Sequence, residues 1–222
     1  MKHIKPYKIF ESTSPNFPTS REEVIQVCTR YRIRNYTIND DLSIDVDGDV
    51  ELDSKNLEYL PVRFNYVSGY FYCNYNELKT LEGCPKTVGD GFSCAINNLK
   101  SLEGCPETVR GYFKCSFNEL ETLENGPQTV DGDFYCRSNE LTDLEHFPEV
   151  GGIINIGKNK VYYLVHTFIK NANSFLIEDF IDYEIVRNRD TVMLDRLQTF
   201  IRDNDLEMPD LDKIKKHYKI IE

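Results

Sequence analysis

The sequence predicts an α/β solenoid, a stack of six short coils with a parallel sheet on one face, a helical segment at its start and an α+β segment at its end. Three observations predict it. A unit aligned on valine recurs at Val46, Val67, Val88, Val109, Val130 and Val150, with spacings of 21, 21, 21, 21 and 20 residues. A period this short and this strict belongs to coils that stack on one another. The unit reads V-x-G-x-F-x-C-x-x-N-x-L-x-x-L-E-x-x-P, clearest from Val67 to Pro85 and from Val109 to Pro127. Finally, the end units are degenerate, as terminal repeats of a solenoid are. The first has Leu52 in the cysteine slot and Lys55 in the asparagine slot, and the last keeps Asn159 and Leu164 but loses Cys, Glu and Pro.

Each position of the unit has a structural role. Alternation of valine, phenylalanine and cysteine points these side chains one way and the residues between them the other. Asn76, Asn97, Asn118, Asn139 and Asn159 end the strand, and their amides can bond backbone groups of the turn and of the next coil. Leu78, Leu99, Leu120 and Leu141, then Leu81, Leu102, Leu123 and Leu144, fill the centre, while Pro85, Pro106, Pro127 and Pro148 shape the return where no ladder donor is needed.

The chain divides into residues 1–45, the repeats at 46–165, and residues 166–222. In the first part, Ser20-Arg21-Glu22-Glu23 has the form of a capping box ahead of Val24, Ile25 and Cys28 on one helix face. That helix is expected to end near Tyr31. Tyr36 to Val46 alternates around Asp40-Asp41 and reads as a hairpin. A helix here would cover the open core and strand edge of the first coil. In the last part, Leu176, Ile177, Phe180 and Ile181 predict a helix over 174–181. Val192, Leu194, Leu197, Phe200 and Ile201 predict a second over 191–202, and Lys213 to Ile221 predicts a strand.

Cysteine placement argues for packing rather than bridging. Cys73, Cys94, Cys115 and Cys136 share one slot, Cys84 and Cys105 share another, and Cys28 stands alone. Slot-mates on adjacent coils lie about 4.8 Å apart, one rung of a sheet, and buried free cysteine behaves as a small hydrophobe. Zinc sites use paired short spacings such as C-x-x-C, which do not occur. Asp45-Val46-Asp47-Gly48-Asp49 does not follow an EF-hand loop, since its glycine comes two places early. Strand alternation already explains its outward acids. No metal or other cofactor is expected.

Charge narrows the partners. Of the net charge of −11, residues 1–45 contribute +1, residues 46–149 contribute −11 and residues 150–222 contribute −1. Such a body repels phosphates, so nucleic acid on the solenoid is disfavoured and a basic protein surface is the complement. No apolar run reaches the roughly 18–20 residues of a membrane span. Met1 to Pro6 lacks the apolar stretch of a secretory signal, so a cytosolic protein is expected.

Catalysis is not expected. His3, His146, His166 and His217 are scattered, and no nucleophile elbow, phosphate loop or dinucleotide fingerprint occurs. If the C-terminal segment were enzymatic, Asp190, Asp195 and His217 would be the residues to test. The strand face is the stronger candidate. Tyr70, Tyr72, Tyr75, Ile96, Tyr112, Lys114, Phe117, Tyr135 and Arg137 point away from the core, with Tyr75, Ile96 and Phe117 in one column. Solenoids bind on an extended concave sheet, and tyrosine in particular is enriched at binding hot spots. Glu82, Glu103, Glu124 and Glu145 form an acidic rim, read either as a solubilising stripe or as a clamp for a basic partner.

The F-x-C-x-x-N-x-L-x-x-L-E pattern resembles a leucine-rich repeat of the short bacterial type, with Phe and Cys in slots usually held by Leu and L-E where L-P is usual. Together with Tyr36 to Asp41 and Asp45 to Val50, it is similar to a family of small tailed-bacteriophage proteins over about residues 20–165. That resemblance implies a fold and a phage origin rather than an activity. It makes binding of a host protein in the host cytoplasm the expected role, in host takeover or as an inhibitor of a host defence or toxin protein. A virion or assembly component, or a self-associating subunit, is the alternative.

Overall fold

A computed structural model describes residues 15–161, 164, 174–187 and 191–222. The repeats wind into a parallel-strand β-solenoid of about five turns, with partners in adjacent coils spaced by about 21 residues. Each coil supplies two short strands, and so two sheets form where one was expected.

The first sheet holds β2 (Ile44–Val46), β4 (Phe64–Val67), β6 (Thr87–Val88), β8 (Thr108–Val109), β10 (Thr129–Val130) and β12 (Glu149–Val150) in that order. At its start β1 (Tyr36–Ile38) pairs antiparallel with β2, Tyr36 opposite Val46, which is the predicted hairpin. The second sheet holds β3 (Val50–Glu51), β5 (Phe71–Tyr72), β7 (Phe92–Ser93), β9 (Phe113–Lys114), β11 (Phe134–Tyr135) and β13 (Ile154–Asn155). No helix lies within residues 46–161, so these coils form a β-solenoid, not an α/β one. The return from each asparagine to the next valine is too short for a helix plus two turns, and its proline disfavours helical backbone just before it.

Between the two sheets the phenylalanines stack along the axis. Ring centroids of Phe71, Phe92, Phe113 and Phe134 are separated by 5.5, 5.3 and 5.9 Å in nearly parallel planes. Phe64 and Phe147 close the stack edge-on at its two ends. The valines from Val46 to Val130, the cysteines and both leucine columns are buried around it, and Val150 is half-buried at the end.

The asparagines form the predicted ladder, with its direction reversed, because each bonds the preceding coil. Asn118 Nδ2 donates to Cys115 O at 3.0 Å in its own coil and to Cys94 O at 3.1 Å one coil back, while its Oδ1 accepts from Leu99 N at 3.0 Å. Asn97, Asn139 and Asn159 repeat this set. At the first rung Asn76 reaches Leu52 O and accepts from the N–H groups of Lys55 and Leu57. Direction follows from the strand ending: the asparagine turns back toward carbonyls that the sheet leaves unpaired.

Before the solenoid, α1 (Arg21–Tyr31) starts at Ser20, whose hydroxyl accepts from Glu23 N at 3.2 Å, while the Glu23 carboxylate accepts from Thr19 N at 2.7 Å. Val24 and Cys28 join the same core as Ile44 and Val46. After it, α2 (Ser174–Asp182) matches expectation. Residues 191–193 do not: Thr191–Met193 is β15, and the second helix, α3, begins at Leu194 and runs to Asp203. Thr-Val at its start favours a strand, and β15 pairs both with β14 (Val186–Arg187) and with β16 (Lys219–Ile221). The strand expected over 213–221 is therefore shorter, preceded by α4 (Leu211–Ile214). Tyr218 Oη donates to Lys160 O at 2.9 Å, tying this segment to the last coil.

All seven cysteines are free and buried. Burial pushes the Cys28 thiol up to about 11 and Cys105 to about 12, and holds Cys73, Cys94 and Cys115 well above their ordinary 9.0. In the unfolded chain these thiols titrate near their ordinary value and so release protons first as pH rises. Their contribution to stability is present below about pH 9 and is lost toward about pH 12. The urea midpoint is expected to fall between about pH 8.5 and about pH 11; a constant midpoint would mean that the thiols are hydrated.

Candidate protein-interaction face

The outward side of the second sheet is a grid set by register. One row runs Glu51, Tyr72, Ser93, Lys114, Tyr135 and Asn155 across β3 to β13. Two residues later on each coil lie Asp53, Asn74, Ala95, Ser116 and Arg137, and two residues earlier lie Asp49, Tyr70, Gly91, Tyr112 and Asp133.

The third coil carries only Gly91, Ser93 and Ala95 on this side, so its neighbours lean over it. A Cβ at Gly91 would sit 2.6 Å from the Tyr112 ring. Tyr112 therefore crosses the gap, places its ring 6.1 Å from Tyr70 and donates from Oη to Tyr72 Oη at 3.1 Å. Tyr70 and Tyr72 stack at 5.5 Å. Three of the five tyrosines expected on this face, Tyr70, Tyr72 and Tyr112, thus form one cluster. Burial raises the Tyr112 phenol far above its ordinary value, and the Asp90 carboxylate raises Tyr70, so both stay neutral at ordinary pH.

A cavity of about 630 Å³ opens on the same face. Asn74 and Ser93, both buried, form its floor; Tyr72, Tyr112 and Tyr135 wall it; Glu51, Asp53 and Asp133 face it against Lys114. Asp53 Oδ1 accepts from Asn74 N at 2.6 Å, and Asn74 Oδ1 accepts from Ser93 Oγ and Ala95 N. Asp133 accepts from Ile153 N and from Tyr135 Oη, each at 2.7 Å, which holds its carboxyl below the usual range and ionised. The Glu51 side chain is exposed and accepts no hydrogen bond among the described residues.

Outward direction did not guarantee exposure. Asn74, Ser93, Ala95 and Ser116 are buried under longer neighbours. Ser116 Oγ has no hydrogen-bond partner among the described residues. Removing that hydroxyl by Ser116→Ala is expected to leave stability unchanged or raise it by up to about 1 kcal/mol, since an unpaired buried hydroxyl is unfavourable. A urea midpoint that falls by more than the equivalent of about 1 kcal/mol would show that the hydroxyl is in fact bonded.

The column beside this cavity has unusual backbone. Ser54, Tyr75, Ile96, Phe117, Ser138 and Lys158 occupy the slot before the asparagine position, held by Lys55 in the first coil, and every one has φ between 55° and 62°. In this left-handed region a side chain larger than glycine costs about 1–2 kcal/mol, and asparagine is among the few that tolerate it. The end coils fill the slot with polar residues, while the three central coils place Tyr75, Ile96 and Phe117 there at 59%, 36% and 46% exposure. Arg137 lies over the Phe117 ring at 5.3 Å. The ladder continues through the slot, with Ile96 N–H donating to Ser116 O at 2.9 Å, so the column is rigidly held.

Other expected residues fall elsewhere. Glu82, Glu103, Glu124 and Glu145 are exposed in the turn leading into the first sheet, outside the cavity, and each backbone N–H caps on Thr80, Ser101, Thr122 or Asp143. The acids that border the strand face are Glu51, Asp53 and Asp133, legible from the repeat register because they share slots with Tyr72, Asn74 and Tyr112. Asp45, Asp47 and Asp49 accept hydrogen bonds from Asn65, Ser68 and Tyr70 of the next coil. Among the described residues no cluster of His, Cys, Asp and Glu is placed to hold a metal. Asp195 and His217 are exposed, and Asp190, His3 and His166 lie outside the described residues. No described helix is long and apolar enough to cross a membrane.

No family model, curated protein or solved structure matches the chain.

Proposed function

We propose that the chain is a non-catalytic protein-interaction module, a leucine-rich-repeat protein of the short bacterial type and of phage origin, that binds a host protein in the host cytoplasm through its strand face. The segments at 1–45 and 166–222 act as its caps. A host defence or toxin protein is the class of target, and inhibition is the expected consequence.

One observation carries the reading. Tyr75, Ile96 and Phe117 are large and apolar, stand in the central coils, remain exposed, and sit where the backbone favours glycine or asparagine. Strain of this kind persists where something other than stability retains it. The adjoining tyrosine cluster adds rigid amphipathic surface of the type found at interface centres. The charge of the repeats, −11 over residues 46–149, favours a basic partner.

The test is affinity capture from host lysate by tagged full-length protein and by a Tyr75→Asn/Phe117→Asn variant, read by mass spectrometry. Asparagine is chosen because alanine would keep the backbone strain. One dominant host protein, lost in the variant, is the expected result. Recovery of phage structural proteins or of the chain itself would support the assembly role instead.

A further inference from the structure

We propose that the end of the 630 Å³ cavity bounded by Glu51, Asp53 and Tyr72 is a socket for a cationic side chain, arginine or lysine, from a basic extended segment of the protein partner. This rests on the reading of the strand face as the partner-binding surface and names what that surface selects.

The chemistry of the lining carries it. Three carboxylates face the cavity against one ammonium, and the opposing charge, Lys114, sits three coils away from Glu51 along the row. Asp133, one coil beyond Lys114, offsets that ammonium, so the far end has no net charge, whereas Glu51 and Asp53 put two carboxylates at the near end and make it the one that attracts a cation. At that end Asp53 is pinned by the backbone N–H of Asn74, so its charge is fixed in place, while Glu51 is free to close on a ligand. Tyr72, opposite Glu51 on the next coil, supplies an aromatic ring beside them. Tyr70 backs that ring from outside the cavity and Tyr112 holds its hydroxyl, so the ring is set before any ligand arrives. A cation over a tyrosine ring beside carboxylates gains from the ring quadrupole and from the charges together. An immobilised receptor loses little conformational freedom on binding. Arginine matches best, since its planar guanidinium stacks on the ring while its edge bonds a carboxylate.

The site also accounts for the small residues of the third coil. Ser93 keeps the floor low between the walls, so an extended chain can lie across it, and Gly91 leaves room for the Tyr112 ring that forms one of those walls. Next to the cavity the apolar column of Tyr75, Ile96 and Phe117 offers contact to the rest of the segment.

The probe is an acetylated, amidated octapeptide of alternating arginine and glycine, compared with the same peptide carrying neutral citrulline for arginine. Binding to the full chain is measured by isothermal titration at about 50 mM salt, low enough that surface charge is not screened away. Three variants are compared, Glu51→Gln, Tyr72→Leu and Glu103→Gln, and urea midpoints confirm that each is folded. Binding of the arginine peptide is expected to weaken at least fivefold in Glu51→Gln and in Tyr72→Leu, and less than twofold in Glu103→Gln. The citrulline peptide is expected to bind at least tenfold more weakly to the unaltered chain. Equal loss in Glu51→Gln and Glu103→Gln would overturn the socket, because the peptide would then be held by the diffuse field of an acidic protein. Equal binding of the citrulline peptide would overturn it as well. Either failure leaves the strand-face reading standing if Tyr75→Asn/Phe117→Asn still releases the host partner. Retention of the partner in that variant would instead sink the apolar column while leaving the socket intact.

Discussion

Phe113→Ala is expected to destabilise the solenoid by about 3–5 kcal/mol, the range for deleting a fully buried aromatic ring. Phe113 is enclosed on both faces, by Phe92 at 5.3 Å and Phe134 at 5.9 Å, and has no exposed surface. Coils related by a rigid ladder cannot collapse inward to refill the space, because the rungs of both sheets fix the spacing on either side. The loss therefore falls near the top of the range. Coils in a stack support only their neighbours, so the variant should also unfold less cooperatively, with a lower denaturant slope as the two halves uncouple. Phe113→Leu, which keeps most of the volume, is expected to lose less than half as much. Equal losses for leucine and alanine would show that ring stacking, rather than filled volume, holds the column.

Asn118→Ala ranks next, at about 2–4 kcal/mol, and the reason is polar. The side chain makes three buried hydrogen bonds. Its loss leaves the Leu99 N–H without a partner, whereas the two cysteine carbonyls keep a second amide each: Asn97 still donates to Cys94 O and Asn139 to Cys115 O. One full orphan and two weakened acceptors give the stated range. Asn118→Asp tests the polarity of the rung. It retains the acceptor for Leu99 but turns a carboxylate toward two carbonyl oxygens, so it is expected to be worse than alanine at neutral pH. Burial beside these carbonyls raises the folded pKa of such a carboxyl. Protonation then restores a donor, and the variant recovers stability as pH falls toward about 5. A variant whose urea midpoint does not rise on acidification would contradict the hydrogen-bond assignment.

Much of this fold is legible in the chain, for identifiable reasons. The 21-residue spacing sets the coil, and valine, phenylalanine and cysteine at alternate places set the inward side. The asparagine slot announces a bonded turn, and Tyr36 to Val46 reads as a hairpin because its alternation breaks at a pair of aspartates. The first sheet was harder to see. Its signal is the recurring Thr-Val at 87–88, 108–109 and 129–130, a β-branched pair too short to register as a strand until its neighbours align. Thr191–Met193 misleads because Val192, Leu197 and Ile201 fit a helical period as well as they fit a strand followed by a helix.

The candidate face was only half legible. Alternation correctly turned Tyr72, Lys114 and Tyr135 outward, yet direction says nothing about cover, and Ser93 and Ser116 proved buried beneath longer side chains. The left-handed backbone at Tyr75, Ile96 and Phe117 carried no sequence signal at all, since a reader expects glycine or asparagine there. That mismatch between residue and backbone is the feature that turns an ordinary aromatic column into a candidate interface.

The claim that the column is kept for binding at the expense of the fold is tested most directly on one preparation of Tyr75→Asn/Phe117→Asn, by measuring its urea midpoint and its capture of the host partner side by side. The account predicts that stability is unchanged or rises by up to about 1 kcal/mol, as backbone strain is relieved against the lost Arg137 contact, while the partner is no longer retained. A fall in stability of about 2 kcal/mol or more would exceed what exposed side chains supply and would make the column structural. A folded variant that still holds the partner would contradict the account outright.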